Sequence, residues 1–484
     1  MNGVMRMKIS WKTATKTFCA LGVLGLSASP ALAQNGREIA ERIRQAMLDN
    51  QSTVVLPPPA TEEDFPPRDL EKEALGKFLF YDKIISGNMN MACASCHHGL
   101  ADTGDGLSLP VGEGGVGLGI ARNTGFGDDA IHERVPRNAP FLFNLAGNDF
   151  TTLFHDGRVE VDPSQPSGFA TPAGDDLPLT LESVLAAQAM FPPTSGTEMA
   201  GQAGENPIGD AAAAGDVVLV WELIAQRLRE IPEYVDMFTA IFDDIHTAED
   251  ITFAHAANAI AAYEGAAFRA INTPFDRYLR GEQDAMSESA VRGMNIFYGV
   301  GNCMDCHSGT YLSDQDFHAI GMPQIGPGKG QNLPGFEGGL DDLGREGVTG
   351  DPNDRLKFRT PALRNVALTG PWGHNGAYNT LEAVVRHHLD TDAGMRSYDT
   401  TQAVLPSRPD LDEIDFLCYN DPDRRRIVME ASELRRGILS QRNPLTEEQF
   451  SDLIDFLHAL TDPASVDLRH TVPMTVPSGI PIFD

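Results

Sequence analysis

Apolar residues recur at intervals of three and four along much of the chain, the spacing of one buried helical face. The clearest such segments are Leu70 to Asp82 (LEKEALGKFLFYD), Leu181 to Met190, Val217 to Phe242, Ile251 to Ile271 and Ser287 to Tyr298. A further helix is predicted from Thr380, and Thr446-Glu447-Glu448-Gln449 is a capping box opening a last one that runs to about Leu460. Strand patterns of period two are few. Ser86-Gly87-Asn88 breaks the first helix, and two long stretches without periodicity follow, Gly-rich from Gly99 to Gly127 and Gly/Pro-rich from Pro323 to Pro352. Loops of that length in a compact domain are usually functional or mobile. Helix, turn, short Cys motif, loop and helices occur in this order twice, so the expected fold is mostly α, two duplicated units with long loops and little β. Asn272 to Arg280 (NTPFDRYLR) reads as their boundary.

The N-terminal segment has basic residues (Arg6, Lys8, Lys12, Lys16), an apolar run from Phe18 to Leu26 and Ala31-Leu32-Ala33 as a small-x-small cleavage site. Residues 1–33 are therefore expected to be a signal peptide, with an uncleaved anchor as the alternative, and the mature protein is expected in the periplasm. No later stretch is apolar enough to span a membrane. Residues 34–67, with VVLPPPATEEDFPP, read as a proline-rich leader over the surface, followed by units at 68–274 and 275–465 and a tail at 466–484. The formal net charge is -31, or -35 without the four basic residues of the signal segment. Nucleic acid and anionic membranes bind through clustered Lys and Arg, so both are poor partners.

Of the six cysteines, Cys19 lies in the signal segment and Cys93, Cys96, Cys303 and Cys306 form two identical patterns, CASCH (Cys93 to His97) and CMDCH (Cys303 to His307). A disulfide framework does not need a His after each second Cys. Zinc would want four ligands in one place, whereas these motifs lie far apart in sequence. Covalent haem attachment requires this spacing: two thiols add to the haem vinyl groups and the adjacent His reaches the iron. Two c-type haems, with His97 and His307 as axial ligands, are expected. The remaining Cys418 is a buried thiol or one side of an intermolecular bridge.

Beyond these motifs the chain carries LGKFLFYD (Leu75 to Asp82), PRNAPFLFNLA (Pro136 to Ala146), FHDGR (Phe154 to Arg158), AQAMFPPTSGTEM (Ala187 to Met199), FDRYLRGE (Phe275 to Glu282) and FRTPALRNVALTGPWGHNG (Phe358 to Gly376). In these it resembles the bacterial di-haem cytochrome c peroxidases and their methylamine-utilisation relatives, over roughly Leu70 to Thr461. The resemblance implies two cytochrome c-like haem domains, the first haem reacting with hydrogen peroxide and the second passing electrons to it. It places Gln188 and Glu198 beside the reactive iron. A carboxylate there can take a proton from the iron-bound oxygen and return it to the leaving oxygen. It further implies a calcium ion between the domains, held by Asn138, Thr369 and Pro371, whose oxygen donors suit a hard cation.

The chain also departs from that pattern. Where relatives have Met or Tyr as sixth ligand of the second haem, the matching position is His388, and Leu381, Val384, Val385 and His388 share one helical face that must turn inward. His387 projects about 100° from that face. His/His ligation lacks the thioether that raises the potential of His/Met haems. His155 stands where the family usually has a Trp between the haems, either as a redox-inert replacement or as a haem contact. Outside the signal segment only Trp221 and Trp372 exist. In the long loop after the first motif, His132 is the candidate for the switchable ligand that typical peroxidases carry there; a surface histidine is the other reading.

The reading that follows is a periplasmic di-haem peroxidase taking electrons from a donor protein such as a small cytochrome c, which the acidic surface would steer. A di-haem oxidase or oxygenase acting on a protein or organic substrate is the alternative, and a non-enzymatic electron carrier the third. The family is commonly dimeric, and no stretch of this sequence marks an interface.

Overall fold

The computed structural model describes residues 54–328, 341–433 and 445–483, together with a two-residue strand at Arg6–Met7. Apart from that strand, the expected signal peptide and the start of the leader lie outside the described residues, as does part of the Pro323 to Pro352 loop. No helix among the described residues is long and apolar enough to cross a membrane.

In the first half, α1 (Leu70–Tyr81) leads to CASCH, and α2 (Val184–Ala189), α3 (Val217–Arg229), α4 (Pro232–Ile241) and α5 (Phe253–Ala267) follow. In the second half, α6 (Pro274–Leu279) and α7 (Glu288–Phe297) lead to CMDCH. There α8 (Leu381–Leu389), α9 (Thr391–Arg396), α10 (Pro422–Ala431) and α11 (Glu447–His458) complete the order. The fold is mostly α, as expected. Side-chain caps fix several starts: Asp69 accepts from the Lys72 N–H, and Thr446 with Gln449 forms the predicted box at α11. The single helix expected over Val217 to Phe242 is two, because Ile231 is extended and Pro232 starts a new first turn, where its missing N–H costs nothing. The stretch expected to be a bare boundary at Asn272 to Arg280 holds α6.

The two halves share one packing device. A Cβ on Gly76 of α1 would lie 1.8 Å from the carbonyl oxygen of Ala259 in α5, and one on Gly293 of α7 would lie 1.8 Å from that of Asp452 in α11. In each half the helix before the Cys motif thus crosses a later helix with backbone against backbone. A first core gathers around α1, α3 and α5, and a second around α7, α8 and α11, where Phe275, Phe297, Tyr298 and Phe456 pack edge to face.

Chain ends described as leader and tail are built into these cores. The leader, expected to run over the surface, instead tucks in: Ala60 is fully buried, its N–H donating to Asp276 Oδ1 at 2.9 Å, and Phe65 lies in the first core. The reason is that Asp276, fully buried and paired with Arg364, requires hydrogen-bond donors on every lone pair it can satisfy. Leu468 and Val476 of the tail enter the first core, and Ser478 Oγ donates to Asp82 at 2.6 Å.

A small meander, β1 (Thr152–Leu153), β2 (Val159–Val161) and β3 (Phe169–Ala170), pairs antiparallel with Leu153 opposite Val159 and Val161 opposite Phe169. In the second half β4 (Phe317–His318) pairs with β5 (Phe358–Arg359). The halves meet here, where the Arg359 N–H donates to the His155 carbonyl at 2.8 Å. Arg137 binds Asp156 at 2.6 Å and Asp342 at 2.6 Å across the same seam.

Because a methyl group cannot fit at either crossing, Gly76→Ala and Gly293→Ala should each destabilise the haem-loaded protein by about 1–3 kcal/mol despite their better helix propensity. Thermal unfolding of the two variants checks this, and unchanged melting temperatures would contradict it.

Candidate functional site

Cys93 and Cys96 sit on one helical turn before His97, and neither thiol is in a disulfide. Burial pushes the Cys96 thiol up to about 12 and the Cys93 thiol up as well, away from the thiolates that zinc or redox chemistry uses. His97 Nδ1 faces the Thr103 carbonyl at 3.2 Å, so Nδ1–H donates and the Nε2 lone pair is left for a metal. These three residues line one slot, partly open to solvent, with Gln188, Glu198, Glu264, His155, Arg158 and Arg359 among its other walls.

Gln188 comes from α2, and Glu198 from a single π-helical turn, Gly196–Ala200, started by the Ser195 side chain, which accepts from the Glu198 N–H. Such turns are rare and recur at functional sites. The long loop after CASCH backs this turn. Glu113 N–H donates to the Thr197 carbonyl at 3.0 Å, and Gly112 lies so close that a Cβ would be 2.0 Å from that oxygen.

His132 is outside the slot: its side chain is 52% exposed and faces Glu205 at 3.5 Å. Among the described residues the histidines lining the slot are His97 and His155. His155 donates from Nε2 to the Asn138 carbonyl at 3.1 Å, and burial, helped by Arg137, pushes it down to about 4, so it is neutral. Trp221 is buried behind the slot with its indole N–H on the Met190 carbonyl, and Trp372 donates to the Val366 carbonyl in the second half. Neither fills the place of the inter-haem Trp.

Two slot residues were missed in the sequence. Glu264 of α5 is buried, its Oε2 finds no hydrogen-bond partner among the described residues, and burial pushes its carboxyl up to about 8. An isolated acid in an otherwise small and apolar helix was the available signal. Arg359 had none, since it arrives from the second half. Its Nε donates to the Phe154 carbonyl at 3.1 Å and its Nη1 to that of Thr360 at 3.4 Å, and burial pushes it down to about 10. Arg137 and Arg158 are paired with Asp156, whereas no carboxylate among the described residues pairs with Arg359. A buried cation of this kind wants an anion, and a haem carries two carboxylates. The slot therefore fits the group its thiols would bind.

In the second half Cys303 and Cys306 are likewise free of disulfides, and His307 Nδ1–H donates to the Leu312 carbonyl at 3.0 Å, leaving Nε2 open. His388 does the same with Val384 at 2.8 Å. Burial pushes His307 down to about 4, and His388 adds to that push. The expectation that His387 turns away from the interior is corrected: it is the more buried of the pair, because the chain around Ile320 and Tyr378 covers that face too. Both its nitrogens are occupied, by the Tyr378 hydroxyl at 2.9 Å and the Ile320 carbonyl at 3.0 Å. His388 alone of the two has a nitrogen to offer. Cys418 is buried, with its thiol on Asp341 at 2.9 Å.

Between the halves a small pocket brings together Asn138 and Thr369 with Gly370, Asp102 and Asp105, while Pro371 is not among its walls. The Asp105 Oδ2 is buried without a partner among the described residues, and burial pushes the carboxyl up to about 7. An orphan carboxylate oxygen beside an amide and a backbone turn suits a hard cation such as calcium.

Residues 70–284 match the sequence profile described as di-haem cytochrome c peroxidase. The chain is 30% identical over 347 residues to the cytochrome-c peroxidase IdrP1 of Pseudomonas sp. strain SCT, covering 68% of this chain and 74% of that one. It is 30% identical over 322 residues to the methylamine utilization protein MauG of Methylorubrum extorquens, covering 66% and 69%. Its fold is similar to that of a MauG-like protein associated with microbial copper homeostasis, with a TM-score of 0.53 and 28% identity over 85% of this chain and 95% of that one. The diheme peroxidase BthA of Burkholderia thailandensis shares the fold at 20% identity with a TM-score of 0.54, over 85% and 90% of the two chains.

Because the folded state holds the Glu264 proton more tightly than the unfolded chain does, this group's contribution to stability is complete below pH 4.5 and is lost as the pH rises towards 8. Glu264→Gln should remove that loss. The melting temperature of the haem-loaded variant is expected to fall less between pH 4.5 and 8 than that of the wild type.

Proposed function

The chain belongs to the di-haem cytochrome c peroxidase family, and on that premise we propose that it reduces hydrogen peroxide to water at its first haem with electrons entering through the second. Family membership implies two c-type haems. Cys93, Cys96 and His97 would hold the first, and Cys303, Cys306, His307 and His388 the second; domains at 68–274 and 275–465 would carry one each. Bound there, the haems supply the iron redox chemistry. The observation that carries the reading is the meeting of Gln188 and Glu198 with both CASCH thiols and His97 in one slot.

Each turnover consumes one peroxide, two electrons and two protons and yields two waters. Glu198 takes the proton from the near oxygen of peroxide and delivers it to the far one, which then leaves as water. Gln188 orients the peroxide by hydrogen bonding. Arg359 would neutralise one haem carboxylate and so ties the second half of the chain to the cofactor of the first. Asn138, Thr369 and Asp105 would hold calcium at the seam, without the expected Pro371. A small basic cytochrome c is the proposed donor, attracted by the acidic surface, and the periplasm the proposed location.

A second reading, oxidation of an organic or protein substrate, draws on one observation. His132 stands at the surface and not opposite His97, which leaves the distal side of the first site without that residue's histidine.

Half-reduced protein, given peroxide and a reduced donor cytochrome, should show high-spin haem and turn over. Glu198→Ala is expected to lower turnover by on the order of 100- to 10,000-fold while both haems remain attached. Peroxide reactivity without donor turnover would favour the second reading, and uniformly low-spin, unreactive iron would leave an electron carrier. Donor turnover should also fall with added salt, and a rate indifferent to ionic strength would contradict electrostatic docking.

A further inference from the structure

Three buried tyrosines pack edge to face in the second half beside the helix that carries His387 and His388. Tyr378 and Tyr398 have ring centroids 5.3 Å apart, and Tyr398 and Tyr419 5.1 Å apart. Aromatic packing alone would be served by phenylalanine, and each hydroxyl must find a partner to be buried without cost. Tyr398 donates to the Ala377 carbonyl at 2.6 Å and Tyr419 to the Met395 carbonyl at 3.0 Å, both backbone acceptors that cannot take a proton away.

Tyr378 differs. Its hydroxyl lies 2.9 Å from His387 Nδ1, and the other nitrogen of that ring, Nε2, faces the Ile320 carbonyl at 3.0 Å. A carbonyl only accepts, so Nε2 carries the hydrogen, and Nδ1 is left as the acceptor for the phenol. The His387 ring lies 5.3 Å from that of Tyr378 and 6.2 Å from that of His388, and both Tyr378 and His387 are shielded from solvent. A phenol that loses an electron becomes a very strong acid. It oxidises readily only where an acceptor for its proton is already hydrogen-bonded to it, and among the three tyrosines only Tyr378 has a side chain in that place.

We propose that Tyr378 is a redox-active residue that exchanges an electron with the second haem while its phenolic proton moves to His387. The proposal rests on the di-haem peroxidase reading, with His388 beside the second iron. The oxidant is hydrogen peroxide acting through the haems. One electron passes from the phenol to the oxidised haem, the O–H bond breaks, the proton goes to Nδ1 of His387, and a neutral tyrosyl radical remains. Return of an electron from the donor and of the proton from His387 restores the phenol. The residue thus stores an oxidising equivalent off the iron when donor is scarce, in a position that excludes water.

The test is freeze-quenched electron paramagnetic resonance of the haem-loaded protein mixed with one equivalent of peroxide and no donor. A radical signal that changes shape on incorporating ring-deuterated tyrosine is expected in the wild type and in Tyr398→Phe, and it should fall at least tenfold in Tyr378→Phe. An equal yield in Tyr378→Phe overturns the proposal. The wild type tests it independently of any folding defect: the radical should show an exchangeable proton coupling from the His387 hydrogen bond that deuterium oxide removes, and a radical without that coupling lies elsewhere. Haem spectra that respond to peroxide with no tyrosyl radical sink this inference alone. Spectra that do not respond at all sink the peroxidase reading and this inference with it.

Discussion

A buried guanidinium, that of Arg137, is one of several ionic ties between the two halves, beside the pairs Arg134–Asp415 and Arg345–Glu160. Arg137 is buried, and it binds Asp342 of the second half through two nitrogens, at 2.6 and 2.7 Å, and Asp156 of the β1–β2 turn at 2.6 Å. Burial opposes the charge on Asp156, but Arg137 and Arg158 hold its carboxyl well below the usual range. Removing one partner of such a buried set leaves an uncompensated charge, at a cost of about 3–5 kcal/mol. The arrangement around the first site depends on this contact. With the turn fixed, His155 is placed in the slot wall, Arg359 is bound to it through the backbone, and the next residue, Asn138, reaches the His374 carbonyl and the small pocket between the halves.

Around that seam the cores are organised for a rigid flat cofactor. In the first half a slot lies between the Cys motif, α2 and α5. Its walls carry ionisable groups in unusual states. Glu264 is pushed towards neutrality by burial, and Arg359 stays cationic with only carbonyls around it, while Asp105 is pushed up likewise in the separate pocket between the halves. Groups like these are costly in a folded chain unless something arrives to use them, and perturbed titration clustered in a cavity is a recognised mark of function. The second site is built differently. There, two histidines, His307 and His388, each hold Nδ1 on a backbone carbonyl, and His387 is hydrogen-bonded to Tyr378.

What the sequence determined by itself is whatever local spacing encodes. The two CxxCH motifs, the box at Thr446, the helices α1, α7 and α8 and the mostly α class depend on residues within a few positions of each other, and their physics is complete at that range. Tertiary structure alone decided the rest, because the relevant partners lie outside any local window. Pro232 splitting a helix could have been read locally, but the burial of Ala60 against Asp276 and the delivery of Arg359 to the first slot follow from how the halves dock, and the covered face that turns His387 inward and the exposure of His132 from packing within each half. A residue's environment there is set by chain segments that no local pattern names, so only the packed molecule could place them.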